Sequence, residues 1–77
     1  MEQSLNYYKI FYEVAKCGNI SKAAKNLYIS QPAVSKSISR LEQSLSQTLF
    51  VRNKRGVKLT DEGKMLYEHI LKAIDNI

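Results

Sequence analysis

The stretch SQPAVSKSISRLE, residues Ser30 to Glu42, predicts a helix with one apolar and one polar side. Ser30 is a good N-cap because its hydroxyl can accept a hydrogen bond from a backbone N–H of the first turn. Pro32 is tolerated there because first-turn N–H groups have no helical partner. Apolar residues then recur at helical spacing: Val34, Ile38, Leu41 and Leu45. We expect this side of the helix to face a core.

The opposite side of this helix is polar and carries no carboxylate. We call it the outer face; at about 100° per residue it consists of Pro32, Lys36, Ser39 and Gln43, with Ser35 and Arg40 at its borders. Gln31 lies at the helix tip, where its side chain can extend past the first turn. The outer face is either an ordinary solvated surface or the surface that binds a polar partner, and the rest of the chain bears on that choice.

Composition places the chain among small folded proteins with a basic surface. Its 77 residues form one domain, which buries about three fifths of the surface that the unfolded chain exposes and has no room for a deep active site. Twelve Lys and Arg against seven Asp and Glu give a net charge of +5, which favours a polyanionic partner. From Lys16 to Lys58 there are nine basic residues and one acid, Glu42, a net charge of +8. Nucleic acid is the partner this distribution favours, and a solvated Lys-rich surface is the alternative.

The sequence offers no catalytic or metal-binding pattern. Cys17 is the single cysteine, which excludes an internal disulfide and provides no metal-ligand spacing. His69 is the single histidine and lies far in the sequence from any candidate nucleophile. We therefore expect no enzyme activity, no metal and no cofactor. The absence of a membrane-length apolar run and of a signal-peptide pattern predicts a cytoplasmic protein with no membrane partner.

Two further helices precede the Ser30 cap. Apolar spacing predicts the first from Leu5 to Cys17, and Gly18 with Asn19 supplies its C-terminal stop. Ser21 is the expected N-cap of a second, shorter helix, SKAAKNL, whose two adjacent alanines let another helix cross closely. A short helix, a tight turn and a longer helix with a polar outer face predict a helix-turn-helix, whose second helix enters the DNA major groove.

Beyond Leu45 the pattern changes to two short β-prone pieces, LFV and VKL, around a turn that contains Asn53, Arg55 and Gly56. This pattern predicts a small hairpin, which we call the wing. Its basic residues are Arg52, Lys54, Arg55 and Lys58. They can contact phosphates or a minor groove, and a solvated basic loop is the alternative.

The last helix is expected to begin after an N-cap at Thr60, with Asp61 and Glu62 suited to the positive end of its dipole. Its apolar residues form two overlapping stripes: Leu66, Ile70, Ala73 and Ile77 on one, Tyr67, Leu71 and Ile74 on the other, and Met65 between them. One stripe is sufficient to dock on the domain, so the other predicts a helix-to-helix contact in a homodimer. We assign the dimer contact to Leu66, Ile70, Ala73 and Ile77; fraying of the helix, or packing against parts of a longer protein, is the alternative.

The run NISKAAKNLYISQPAVSKSISRLEQSLSQTLFVRNKRGVKLTDEG, residues 19–63, resembles the N-terminal DNA-binding domain of LysR-type transcriptional regulators. Several motifs occur in family order and spacing: the alanine pair after Ser21, SQPAVS, RLE, LFVR and LTDEG. The resemblance implies a mainly α, winged helix-turn-helix fold with three helices, a two-stranded wing and a long C-terminal linker helix. The DNA-binding domain then spans residues 1–60, and residues 61–77 form the linker and dimerisation helix of the same compact unit.

The resemblance also implies site residues, with the recognition helix from Gln31 to Ser44 in the major groove of double-stranded DNA. The implied base-reading residues are Gln31, Pro32, Ser35 and Lys36, to which the outer face adds Ser39. The implied backbone contacts are Ser21, Ser30, Arg40 and Arg52, to which the basic stretch adds Lys22, Lys54 and Arg55. Many members carry arginine where this chain has Lys36 and Ser39. Lysine lacks the two-pronged fork of arginine, so Lys36 contacts either a base or a phosphate.

The resemblance implies that full-length members carry a larger C-terminal domain that binds a small-molecule effector. This chain is then either an excised domain, which we favour, or a natural short relative, and it meets an effector only through a domain absent from it. A winged-helix module that binds protein and never DNA is the competing hypothesis, because fold alone does not fix function. The basic middle of the chain and the carboxylate-free outer face favour DNA.

Overall fold

The computed structural model describes the backbone of residues 2–75 and the side chains of residues 6–74. Within residues 2–75, four helices and one two-stranded antiparallel sheet follow one another in this order: α1 (Glu2–Cys17), α2 (Ile20–Leu27), α3 (Gln31–Leu45), β1 (Phe50–Asn53), β2 (Gly56–Leu59) and α4 (Asp61–Asp75). The predicted winged helix-turn-helix order is confirmed. No helix within residues 2–75 combines the length and the apolar character needed to cross a membrane.

The core lies where α1, α2, α3 and the start of the wing meet. Its buried side chains are Phe11, Val14, Ala23, Ala24, Val34, Ile38, Leu41, Leu49 and Phe50. The rings of Phe11 and Phe50 pack at a centroid distance of 5.2 Å, which fastens the wing to α1. The small side chains of Ala23 and Ala24 let α2 lie close to its neighbours, as predicted. The apolar stripe of α3 faces this core, with Leu45 half-buried at its end.

The turn between α1 and α2 also holds the wing. Gly18 has φ +67, the left-handed conformation expected of a helix stop. Its carbonyl oxygen accepts a hydrogen bond from Val57 N at 3.1 Å. Gly56 has φ +134, and a Cβ there would meet the Gly18 carbonyl oxygen, so this close approach requires glycine. The wing is therefore positioned by backbone contacts at the start of α2.

The N-cap of α2 is Asn19, so the prediction of Ser21 as the N-cap was wrong. Asn19 is extended, with φ −156, and its side-chain oxygen accepts from Lys22 N at 2.9 Å. Asn and Ser are equally good N-caps, and Asn19 is extended immediately after the left-handed Gly18. The helix therefore begins two residues earlier than predicted, and Ser21 lies inside its first turn.

The turn from α2 to α3 follows the prediction. Tyr28 is left-handed, with φ 59, and the N–H of Ile29 donates to the Ala24 carbonyl at 3.1 Å. Ser30 is the N-cap of α3, since its hydroxyl accepts from Ala33 N at 3.2 Å. The direction of α3 is thus set by local hydrogen bonds.

Glu42 connects α3 to the wing. Its carboxylate accepts from the backbone N–H groups of Leu49 at 2.7 Å and of Phe50 at 3.2 Å. Thr60 is the N-cap of α4, as predicted, because its hydroxyl oxygen accepts from Gly63 N at 3.0 Å. The same hydroxyl donates to the Thr48 carbonyl at 2.6 Å. Both ends of the wing are therefore tied to helices.

On α4, the half-buried Leu66, Tyr67 and Ile70 pack against the core. Tyr67 stacks on Tyr12 of α1 at a centroid distance of 5.5 Å. The stripe assigned to the dimer thus makes contacts within its own protomer at Leu66 and Ile70, whereas Ala73 is exposed and Ile77 lies outside the described residues. Met65 and Ile74 are 72% and 47% exposed. The dimer contact stays a prediction.

Cys17 is half-buried at the end of α1, where it links α1 to α2. Its thiol donates to the Glu13 carboxylate at 3.2 Å, and the Asn26 amide donates to the same oxygen at 3.0 Å. The hydrogen bond from Asn26 lowers the pKa of Glu13, and burial raises the pKa of Cys17. A raised pKa keeps the thiol protonated and unreactive at neutral pH.

Candidate nucleic-acid interface

The outer face of α3 is exposed along its length, as the helical spacing predicts. Pro32, Lys36, Ser39, Gln43 and Arg40 are exposed, and Ser35 is half-buried at the border with the core. The single acid of α3, Glu42, is hydrogen-bonded to the backbone at the base of the wing. No carboxylate of α3 therefore opposes a polyanion on this face.

The first turns of α2 and α3 lie side by side. Gln31 Nε2 donates a hydrogen bond to Ser21 Oγ at 3.1 Å. A predicted base-reading residue and a predicted backbone contact, ten positions apart in the sequence, are thus in direct contact. Ser21 is half-buried and Gln31 is exposed, so the hydrogen bond holds the solvent-exposed amide of Gln31 against α2.

The wing lies beside the start of α2. A depression of about 290 Å³ separates the first residues of α2, including Ser21, from residues 52–57 of the wing. At the wing tip the Asn53 side chain accepts from Arg55 N at 2.8 Å, which holds the two-residue turn. Arg52, Lys54 and Arg55 are exposed around this depression. The start of α2 and the basic wing therefore flank a space into which the cations of the wing attract an anion.

The structure brings most predicted site residues onto one continuous surface. Exposed there are Lys22, Ser30, Gln31, Pro32, Lys36, Ser39, Arg40, Arg52, Lys54 and Arg55. Continuity follows from three contacts: the bond from Gln31 to Ser21, the depression between Ser21 and the wing, and the bond from Val57 to Gly18. An exposed helix beside a basic wing can bind a groove and its flanking phosphates at once. Of the residues assigned to the dimer, Leu66, Ile70 and Ala73 lie on α4, in a separate group, and Ile77 lies outside the described residues.

Three features of this surface escaped the sequence analysis. Asn19 caps α2 in place of Ser21, Ser21 accepts from Gln31, and Glu42 anchors the wing. A signal existed for Glu42, because it is the single acid in the basic stretch and adjoins the buried Leu41. Among the residues that the structure describes, no cluster of His, Cys, Asp and Glu can hold a metal ion.

Comparisons with known proteins agree with this architecture. The profile of the family described as bacterial regulatory helix-turn-helix protein, lysR family, matches residues 5–64. The nitrogen assimilation regulatory protein nac of Escherichia coli (strain K12) is 46% identical over 61 residues, which are 79% of this chain and 20% of that protein. The uncharacterized HTH-type transcriptional regulator YoaU of Bacillus subtilis (strain 168) is 46% identical over 79 residues, covering 99% of this chain and 27% of that protein.

A solved structure superposes closely on the whole fold. The crystal structure of the BenM_DBD/catB site 1 DNA complex matches with a TM-score of 0.87 at 36% identity, covering 94% of this chain and 80% of the BenM chain. This chain spans about a fifth to a quarter of the length of these two curated relatives. The family profile covers more than half of the chain, and the chain therefore belongs to the lysR family of bacterial regulatory helix-turn-helix proteins.

Proposed function

We propose that this chain is the DNA-binding part of a LysR-type transcriptional regulator and binds specific sequences of double-stranded DNA. The observation that carries the proposal is the exposed, carboxylate-free outer face of α3, continuous with the start of α2 and the basic wing. A major groove admits one helix, so α3 enters the groove while the wing contacts the backbone or the adjacent minor groove. The similar BenM domain, whose structure was solved in complex with DNA, supports DNA binding by this chain.

The base edges are read from the first two turns of α3. Gln31 offers an amide that can accept from and donate to an adenine edge, and Ser35 and Lys36 contact neighbouring positions. Pro32 and Ser39 complete the surface that faces the groove. Lys36 contacts either a guanine edge or a phosphate, since its compact ammonium suits both.

The backbone contacts surround these residues. Ser21, Lys22 and Ser30 lie at the two helix starts, and Arg40 lies at the border of the outer face. The wing supplies the remaining contacts, namely Arg52, Lys54 and Arg55. Each phosphate neutralised by a cation releases counterions, so binding weakens as salt is added.

The regulator acts as a homodimer on two half-sites, paired through α4. The exposed Met65, Ala73 and Ile74 leave α4 more apolar than a solvated helix needs. A small-molecule effector acts through parts of the regulator beyond this chain, which spans a fifth of the length of the nac protein. The cytoplasm, where bacterial DNA lies, is the proposed location.

The test begins with selection of bound sequences from a random duplex pool, followed by titration of the recovered site. Gln31→Ala is expected to cost roughly 1 to 3 kcal/mol and to relax preference at one base pair. Gln47→Ala, which removes an exposed glutamine beyond the end of α3, is the matched control and is expected to leave both unchanged.

Arg52→Ala separates backbone contact from base reading in the same titration. We expect weaker binding to all sequences alike and a salt slope reduced by about one unit. Lys72→Ala removes an exposed cation from α4 and serves as its control. A duplex affinity that does not fall with added salt would contradict DNA binding and favour a protein-binding module.

A further inference from the structure

The hydroxyl of Ser21 is not used to cap α2, because Asn19 caps that helix. It accepts instead a hydrogen bond of 3.1 Å from Nε2 of Gln31 on α3. Ser21 is half-buried in the first turn of α2, so its position is fixed by the helix, whereas Gln31 is exposed. The bond therefore orients the flexible amide of the glutamine from a rigid partner.

Ser21 also lines the depression beside Arg52, Lys54 and Arg55 of the wing. A backbone phosphate in this space has only acceptor oxygens, so a serine hydroxyl that contacts it must donate its single proton. The oxygen of Ser21 is then left as an acceptor, which matches the hydrogen bond from Gln31. The hydrogen bonds then run one way: Gln31 donates to Ser21, and Ser21 donates to the phosphate.

This direction decides which edge of the Gln31 amide remains for a base. The amide has two N–H donors and one acceptor oxygen. One N–H is held by Ser21, which leaves Oε1 and the second N–H, the pair that adenine N6 and N7 require. Guanine presents two acceptors, O6 and N7, and faces an amide oxygen unfavourably.

The contacts of Ser21 with Gln31 and with the phosphate oppose a rotation of the Gln31 amide that would exchange Oε1 and Nε2. Reversal directs Oε1 at Ser21, whose single proton cannot satisfy both this oxygen and the phosphate. An amide not held by Ser21 turns over freely and donates to guanine. Resting on the proposed function, we propose that Ser21 is a positioning residue that fixes the orientation of the Gln31 amide and thereby selects adenine over guanine at the base pair read by Gln31.

The experiment uses the whole chain and duplexes of the selected site that differ only at the base pair where Gln31→Ala relaxes preference. Affinities are measured for A·T and G·C at this position. We expect the original chain to prefer A·T by about tenfold or more, and Ser21→Ala to reduce this ratio about tenfold. Ser21→Thr retains the hydroxyl and is expected to restore the ratio.

Two controls distinguish a loss of base preference, caused by a misplaced Gln31 amide, from a general loss of affinity for DNA. Ser37→Ala removes a hydroxyl from the side of α3 that faces α1, and is expected to leave the ratio unchanged. In the Gln31→Ala background, adding Ser21→Ala is expected to leave the already relaxed ratio unchanged, because Ser21 acts through Gln31. Circular dichroism of each variant verifies folding.

The outcomes distinguish this inference from the proposed function. If Ser21→Ala weakens A·T and G·C duplexes equally, Ser21 is a phosphate contact alone and the inference is overturned. Preference of the original chain for G·C at this position overturns it as well. If the original chain shows no salt-dependent affinity for any duplex, the proposed function itself fails.

Discussion

On α3, the side chains of Val34, Ile38 and Leu41 lie in the core, whereas those of Pro32 and Lys36 contact solvent. The inward residues are constrained by the space between α1, α2 and the wing, so a change in volume alters the stability of the domain. The outward residues contact little within the chain, so their identity is free to serve a partner. Stability and DNA binding are therefore expected to respond to opposite sides of one helix.

Glu42 is the polar residue of α3 that serves the fold. It adjoins the buried Leu41 and accepts from two backbone N–H groups at the base of the wing. A carboxylate in this position would repel phosphate if it faced the DNA, and its hydrogen bonds direct it elsewhere. The residues of α3 that serve the fold are therefore identified by their contacts within the chain, because the polar Glu42 is one of them.

The largest expected effect comes from the inward side. Leu41 is 2% exposed, and Leu41→Ala removes buried methyl groups and leaves a cavity. We expect the free energy of unfolding to fall by roughly 2 to 5 kcal/mol in a urea titration. Gln43→Ala, two positions along on the outer face, is the matched control and is expected to change stability by less than about 0.5 kcal/mol. Equal losses in the two variants would contradict the division of α3.

Local patterns predicted the parts of the fold that local physics determines. The stripe of Val34, Ile38 and Leu41 follows from the helical period, and the Ser30 cap follows from a hydroxyl placed before a first-turn proline. The wing was predicted from a change of period and from a turn that contains Asn53, Arg55 and Gly56. In each case the deciding contacts lie within a few residues along the chain.

Other features depend on contacts that the period does not encode. Asn19 and Ser21 are both good N-caps. The left-handed Gly18 ends α1 and places Asn19 in the extended conformation of a cap, so Asn19 is the residue that caps α2. Glu42 accepts from N–H groups seven and eight positions further along, beyond the end of its own helix. The hydrogen bond from Gln31 to Ser21 forms only when α2 and α3 pack at an angle that brings their first turns together. Such contacts cannot be predicted before the packing of the helices is known.

The two stripes of α4 illustrate the same limit. Spacing alone identifies both, but which one docks depends on the surface offered by α1 and the wing. In this protomer Leu66, Tyr67 and Ile70 take part in the core, while Met65 is exposed. Pairing through α4, and the residues that would carry it, therefore remain a prediction.

A smaller loss of stability is expected when Glu42, the polar residue of α3 that serves the fold, is replaced. Glu42→Ala leaves the N–H groups of Leu49 and Phe50 without their carboxylate acceptor, and Leu49 is fully buried. We expect a loss of about 2 kcal/mol in the free energy of unfolding, measured by urea titration. Glu68→Ala, an exposed glutamate on α4, is the control and is expected to change little. An equal effect of both substitutions would show that Glu42 contributes through charge alone.

The smallest effect separates the two residues that could cap α2. Asn19→Ala removes the acceptor for Lys22 N and is expected to cost about 1 kcal/mol of stability. Ser21→Ala removes a hydroxyl whose partner is the exposed Gln31, so we expect a change below about 0.5 kcal/mol. Thermal unfolding of both variants, followed by circular dichroism, measures the difference. A greater loss at Ser21 than at Asn19 would contradict the assignment of the cap to Asn19, whereas the expected order leaves the oxygen of Ser21 free to accept from Gln31.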